Sequence, residues 1–260
     1  MQQKTNIDHL PPKLAEAIRR TEFIARSYLS GLSFIVQDTA RDPKYAANHL
    51  LSYLSQDLLQ SAVSISALVT EGLLNVARRE LRFLIEASVK IAAVQRESYV
   101  STIEEKLESF DRELRSPSIS IKKQIKLDLL PEPHRAAFDE EVGRLYGLTS
   151  NYVHLTPTQI VQSIEAAKAG VTAGKERPED VDEFNRLAER AMATSLVLLF
   201  HSVPSWVSGD WLVDGDGSSV RWHFMESRFI AAMDESFDYK HERQDRLAEI
   251  KAARAATIRF

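Results

Sequence analysis

The stretch LLNVARRELRFLIEASVKI, residues 73–91, indicates the fold class of this protein. Its apolar and small residues recur at intervals of three and four, which is the spacing of one face of an α-helix. These positions are Leu73, Ala77, Leu81, Leu84, Ser88 and Ile91. No glycine or proline interrupts the stretch, so the sequence predicts one long helix here.

The same period recurs along most of the chain. Proline or an N-cap residue precedes several of the periodic segments, as is typical of helix starts. The predicted starts are Pro11-Pro12, Asp42-Pro43, Pro133, Thr156-Pro157 and Pro178. The period breaks near residues 205–224, where an Asp-Gly turn favours a short extended, hairpin-like insert.

We therefore expect an all-α protein, a multi-helix bundle with a short extended insert near residues 205–224. Short loops between the periodic segments favour antiparallel packing of helices that are neighbours in sequence. Residues 1–224 are predicted to form the bundle domain, with the motifs described below in its 62–157 region. Residues 225–260 are predicted to be a C-terminal helical extension.

Composition and charge limit the classes of partner. The net charge of −4 gives no general attraction to nucleic acid or to anionic membrane. The chain contains no Cys, which excludes thiolate nucleophiles and Cys metal sites. The first ten residues lack an apolar leader pattern, and the most apolar run, Ala191–Phe200, is shorter than the ~20 residues of a membrane span. The sequence therefore predicts a cytoplasmic protein that does not contact membrane.

Four charged residues of the 73–91 stretch share one ridge of the predicted helix. Arg78, Arg82, Glu86 and Lys90 follow one another at i,i+4 spacing. Apolar neighbours flank this ridge on both sides. A ridge of this kind is either a solvated face with local ion pairs or a partly buried set of charges that need specific partners.

A second set of polar residues lies in the predicted helix that ends near residue 154. Tyr146, Ser150 and His154 are spaced by four, so a phenol, a hydroxyl and an imidazole project from one stripe. Gly143 and Gly147 lie beside this stripe and would allow another helix to approach closely. The stripe is either a hydrogen-bonded seam between helices or part of a functional site.

If these two helices pack together, Arg82, Glu86 and His154 converge. An imidazole could then act as general acid or base, a carboxylate could orient it, and a guanidinium could stabilise a developing negative charge. These three are the candidate catalytic residues. The candidate substrate-binding residues are Tyr146, Ser150, Asn151, Lys90 and Arg78. One His and one carboxylate are too few ligands for a metal site, so we expect neither a metal nor another cofactor.

The pattern Arg82-x-x-x-Glu86, followed by Tyr146-x-x-x-Ser150 and Val153-His154, resembles a bacterial family of all-helical domains of unknown function. In that family an R-x-L-x-E helix precedes a Y-x-x-x-S-x-x-V-H helix. The resemblance covers residues from Ala62 to about Pro157.

The same residues have a looser similarity to the HEPN superfamily of helical nucleases and toxins. This similarity implies RNA cleavage without a metal, often across a dimer interface, by an Arg and a His that a Glu sometimes assists. No Arg stands at the usual close spacing before His154, so the role of the arginine would fall to Arg82. Glu86 would orient His154 or share its proton transfer.

Three functions remain open from the sequence. The first is a binding or interaction module in which Arg82, Glu86 and His154 form a buried polar cluster. The second is a HEPN-like ribonuclease or toxin in bacterial stress or anti-phage defence, with RNA as its partner. The third is a small-molecule sensor with a pocket inside the bundle. The first two favour a homo-oligomer or a complex with another protein.

Overall fold

The computed structural model describes residues 9–41, 47–97, 100–114, 125–154, 156–168, 170, 174 and 176–260. This part of the chain is all-α, which confirms the predicted fold class. Its helices are α1 (Pro12–Thr39), α2 (Leu50–Thr70), α3 (Leu74–Glu97), α4 (Ile103–Leu114), α5 (Glu132–Ser150), α6 (Pro157–Lys168), α7 (Pro178–Ser202), α8 (Ser205–Leu212), a 3₁₀ helix (His223–Glu226), α9 (Arg228–Glu235), α10 (His241–Gln244) and α11 (Leu247–Thr257).

Four long helices form the bundle. Helix α3 packs between α2 and α7, and α1 packs against the same two helices. Every residue of the apolar run Ala191–Phe200 in α7 is buried, as expected for a core helix. No helix among the described residues has both the length and the apolar character that a membrane crossing needs. Helix α5 lies against α3 and α7, and this packing brings the two predicted motif helices together.

Hydroxyl groups link three of the bundle helices inside the core. The Ser195 Oγ of α7 lies 2.7 Å from the Ser88 Oγ of α3 and 2.9 Å from the Tyr28 hydroxyl of α1. Burial raises the pKa of Tyr28, so its hydroxyl stays protonated. Each of these buried polar groups has a partner, which removes most of the cost of taking it out of water.

The start of α2 depends on a buried histidine. His49 is the N-cap residue, and its Nδ1 accepts a hydrogen bond from the Leu51 amide at 2.9 Å. Since Nδ1 is an acceptor, Nε2 carries the proton and donates it to the Ser202 carbonyl at 2.7 Å. The helix start predicted at Asp42-Pro43 lies outside the described residues.

The insert near residues 205–224 begins with a helix, α8, and its hairpin-like part is confined to residues 213–219. Val213 and Ser219 form one antiparallel bridge. Between them the Gly217 amide donates to the Asp214 carbonyl at 2.8 Å, and Gly217 has a φ of 84°, which suits glycine. The rings of Trp211 and Trp222 pack edge to face at a centroid distance of 5.3 Å.

The C-terminal extension, residues 225–260, is helical in its described structure and shares the hydrophobic core. Phe229 and Met233 of α9 belong to the same apolar cluster as the long helices. Arg243 is fully buried, and its guanidinium pairs with Asp234 at 2.5 Å and with Asp238 at 3.1 Å. A buried pair of this kind is costly to break because the remaining charge loses its partner. It therefore holds α10 against the end of α9.

We predict that His49 makes the protein sensitive to mild acid. Burial and the nearby Lys106 charge lower the pKa of His49 to about 4, although its bond to the Ser202 carbonyl acts in the opposite direction. The unfolded chain, with a pKa near 6.5, takes up the proton first. The free energy of unfolding should therefore fall as pH decreases from about 6.5 to 4, by up to about 3 kcal/mol from this residue.

Urea unfolding across this pH range tests the prediction. The variant His49→Asn serves as the reference, since it keeps an N-cap acceptor and removes the titrating group. The variant should be less stable at neutral pH and should lose less stability on acidification. An identical pH dependence in the two proteins would show that His49 is not the group responsible.

Candidate functional site

Arg82 is the centre of the contact between α3 and α5. Only 8% of this residue is exposed. Its Nε donates to the Ser150 Oγ at 2.9 Å, and its Nη1 donates to the Glu86 Oε2 at 2.5 Å. The Ser150 hydroxyl donates onward to the Tyr146 carbonyl at 2.6 Å. The predicted convergence of the two motif helices is therefore present for Arg82, Glu86, Tyr146 and Ser150.

The face of the Arg82 guanidinium is also covered. Its Cζ lies 3.3 Å from the centroid of the Tyr146 ring, so the cation stacks on the aromatic face. Hydrogen bonds use the edge of the guanidinium group, and the ring occupies its flat surface.

Glu86 accepts from two cations on the same ridge. Lys90 donates to its Oε1 while Arg82 donates to its Oε2. Burial acts to raise the pKa of Glu86, but the bonds and charges of Lys90 and Arg82 outweigh it and hold that pKa below its ordinary value. Glu86 is therefore ionised at neutral pH and has no proton to donate.

The first residue of the ridge, Arg78, belongs to a neighbouring set of contacts. Its guanidinium lies over the Tyr152 ring, with Cζ 4.8 Å from the centroid, and its Nη1 donates to the Asn75 Oδ1 at 3.0 Å. The next residue, Arg79, donates from Nε to the Tyr152 carbonyl at 2.6 Å. Two arginines of α3 thus hold the turn that follows α5. Tyr152 was not among the predicted site residues.

The structure corrects the position expected for His154. Helix α5 ends at Ser150 with Asn151 as its C-cap, so His154 lies beyond the helix in a turn, where its amide donates to the Ser150 carbonyl at 3.2 Å. The residue is exposed, and its side chain has no hydrogen bond, ion pair or ring contact with any described residue. The buried cluster predicted for Arg82, Glu86 and His154 therefore lacks its imidazole. Asn151 is partly buried, and its carbonyl accepts from Thr156 at 3.4 Å.

These contacts define what the Arg82 cluster can do. By this name we mean Arg82, Glu86, Lys90, Tyr146 and Ser150. Its carboxylate is neutralised by two cations, and its guanidinium is bonded on the edge and stacked on the face. The cluster contains no proton acceptor that could act as a general base at neutral pH without giving up an ion pair. Its geometry is that of a structural network, and the ribonuclease activity stays a prediction.

A different Arg–Glu–His set lies in the described structure, and the sequence did not reveal it. Arg20 of α1 donates to the Glu189 Oε1 at 3.0 Å, and the His223 Nε2 lies 3.3 Å from the same oxygen. Glu189 is 3% exposed. Burial acts to raise the pKa of Glu189, but His223 and Arg20 together hold it below its ordinary value. The sequence signal for this set was a carboxylate, Glu189, flanked by the apolar residues Ala188, Ala191 and Met192 of α7.

The described residues contain no group of three or more His, Asp or Glu side chains arranged to hold a metal ion. Comparisons of the chain with protein-family models, with curated proteins and with solved structures gave no match.

We predict that substitutions of Arg82 and His154, two residues of the candidate catalytic set, differ strongly in their effect on stability. Arg82→Ala should lower the free energy of unfolding by about 2–4 kcal/mol, because it removes charged hydrogen bonds and a stacked cation from a buried position. Arg82→Lys should keep only part of the stability that Arg82→Ala loses, since an ammonium cannot bond to Ser150 and Glu86 with the same planar edge. His154→Ala should change the same quantity by less than about 0.5 kcal/mol.

Chemical denaturation of the three variants beside the wild type measures these differences. A loss of several kcal/mol in His154→Ala would mean that the imidazole has a buried partner and contributes to the contact between α3 and α5. A stable Arg82→Ala variant would show that the Arg82 cluster does not hold α3 and α5 together.

Proposed function

We propose that this protein is a non-enzymatic helical interaction module that pairs with a second copy of itself through α6. The observation that carries the proposal is the exposed apolar face of this helix. Ile160, Val161 and Ile164 are 45%, 52% and 49% exposed, although they occupy adjacent positions on a helix surface. Leu148 and Val153, which lie shortly before α6 in the chain, are exposed as well.

Helix α6 has little support from the rest of the described chain. It has no extensive packing against another described helix, and the Tyr152 hydroxyl reaches it with one bond of 3.3 Å to Gln162. A 12-residue helix is marginally stable in water without tertiary packing. Covering its apolar face would stabilise both the helix and the partner that covers it.

The Arg82 cluster helps to position the turn that precedes α6 and its apolar face. It fixes the last turn of α5, and Arg79 fixes the carbonyl of Tyr152 in the turn that follows. That turn carries Val153 and leads directly to α6. The polar network between α3 and α5 thus determines where the apolar face is presented, which gives the network a role without catalysis.

The charges on α6 favour a second copy as the partner. Its two charged residues are Glu165 and Lys168, one of each sign. In an antiparallel pair related by a two-fold axis, the same apolar face is buried on both copies. Because the two copies run in opposite directions, Glu165 and Lys168 of one copy lie beyond the opposite end of the shared apolar face from those of the other, so the pair avoids like-charge repulsion. Two short helices bury less than the ~1,200 Å² of a standard interface, so we expect a dimer that dissociates in the micromolar range.

We predict that Ile164→Asp abolishes this self-association. A charge in the middle of the apolar face would lose its hydration on pairing, and the dimer would have no counter-charge there. Sedimentation equilibrium over a range of concentrations should give a monomer–dimer equilibrium for the wild type and a monomer for the variant. Circular dichroism should show the same fold in both proteins.

The matched control is Val63→Asp. Val63 is 49% exposed and lies on α2, away from α6 in the chain. This variant should associate as the wild type does. A wild type that stays monomeric at high micromolar concentration would refute the proposal, and so would an Ile164→Asp variant that dimerises normally.

A further inference from the structure

A cavity of about 530 Å³ lies where the N-terminal helix meets the insert and the C-terminal helix. Its wall comes from α1, from residues 218–226 and from α11. Phe23, Trp222 and Ile250 give it an apolar side. The volume falls in the range of pockets that bind small molecules, roughly 300–1,000 Å³. None of the candidate site residues found in the sequence lines this cavity.

Two of the arginines that line the cavity are committed to partners. Arg254 is bonded to Asp234 at 2.7 Å and to Asp238 at 2.6 Å. Arg246 is bonded to Glu249 at 3.0 Å and to Asp216 at 3.3 Å. In these pairs the charges of both arginines are balanced by acidic side chains.

Two further charged residues of opposite sign lack close ion pairs of this kind. Arg221 lines the cavity, and its side chain has no hydrogen bond or ion pair with any described residue. Glu226 also lines the cavity, and the nearest cationic or imidazole nitrogen among the described residues is the His223 Nδ1, 3.9 Å from its Oε1. The cavity therefore offers an exposed guanidinium without an ion pair to the described residues, a carboxylate with a 3.9 Å contact to an imidazole, and an apolar surface.

The back of the cavity is fixed by the buried set described above. The His223 side chain is 8% exposed, and its Nε2 faces the carboxylate of Glu189 at 3.3 Å without an aligned hydrogen bond. Arg20 pairs with the same carboxylate oxygen of Glu189 at 3.0 Å. The imidazole of His223 therefore lies between the carboxylates of Glu189 and Glu226, and Glu226 lines the cavity.

We propose that this cavity binds a small zwitterion with an aromatic body, of the chemical class of an aromatic amino acid. The carboxylate of the ligand binds Arg221, and its ammonium group binds Glu226. Its ring packs on Trp222, Phe23 and Ile250. A zwitterion pairs with both charges at once, whereas a ligand with one charge pairs with only one of them. This binding is independent of the pairing through α6.

Isothermal titration calorimetry with three related probes tests the proposal. L-Tryptophan carries both charges, tryptamine lacks the carboxylate, and indole-3-propionate lacks the amine. We expect saturable binding of L-tryptophan and about tenfold weaker binding of each analogue, since one charged contact is worth about 1.4 kcal/mol or more. The Arg221→Ala variant should bind L-tryptophan no more tightly than the wild type binds tryptamine. The Glu226→Gln variant should bind L-tryptophan no more tightly than the wild type binds indole-3-propionate.

The controls are Arg186→Ala and Glu183→Gln, which change exposed charges of α7 that do not line the cavity. Both should bind L-tryptophan as the wild type does. The proposal is overturned if L-tryptophan gives no saturable heat up to millimolar concentration, or if either analogue binds as tightly as L-tryptophan. It is also overturned if a control substitution weakens binding as much as Arg221→Ala does.

Discussion

The burial of the Arg82 guanidinium constrains the junction of α3 and α5. A cation that leaves water loses hydration worth several kcal/mol and must recover it from a counter-charge and from hydrogen bonds. Glu86 supplies the charge, Ser150 supplies an acceptor, and the Tyr146 ring covers the flat face. Because Ser150 also donates to the backbone of α5, the last turn of that helix is fixed. The direction in which the chain leaves α5 follows from this arrangement.

Those parts of the fold and site that depend on local spacing could be predicted from the sequence. Residues four apart on a helix are neighbours in any tertiary structure, so the ridge that joins Arg82, Glu86 and Lys90 followed from their spacing alone. The same reasoning was misleading for His154, because it assumed that the helix continued beyond Ser150. Tyr146 and Ser150 lie inside the helix and meet Arg82 as expected, whereas His154 lies past the C-cap.

Contacts between distant segments could not be predicted in this way. Arg20 and Glu189 are 169 residues apart. Helical periodicity shows which face of a helix is apolar, but it does not show which other segment covers that face. The cavity near His223 is formed by three such segments, so neither its volume nor its free charges could be inferred before the packing was known.

The two polar clusters differ in how completely their charges are matched, and this difference separates a structural role from a binding role. Around Arg82 every charge has a partner, because Glu86 pairs with Arg82 and Lys90 along α3 and Ser150 of α5 accepts from Arg82. A ligand would have to displace an existing ion pair and would gain little. In the cavity near His223 the committed arginines form the wall, while Arg221 and Glu226 remain without close partners. A ligand that reaches these two groups gains contacts without breaking any. The proposed binding residues are therefore ones whose charges the fold leaves unmatched, and they lie outside the sequence motif of Arg82, Glu86 and His154.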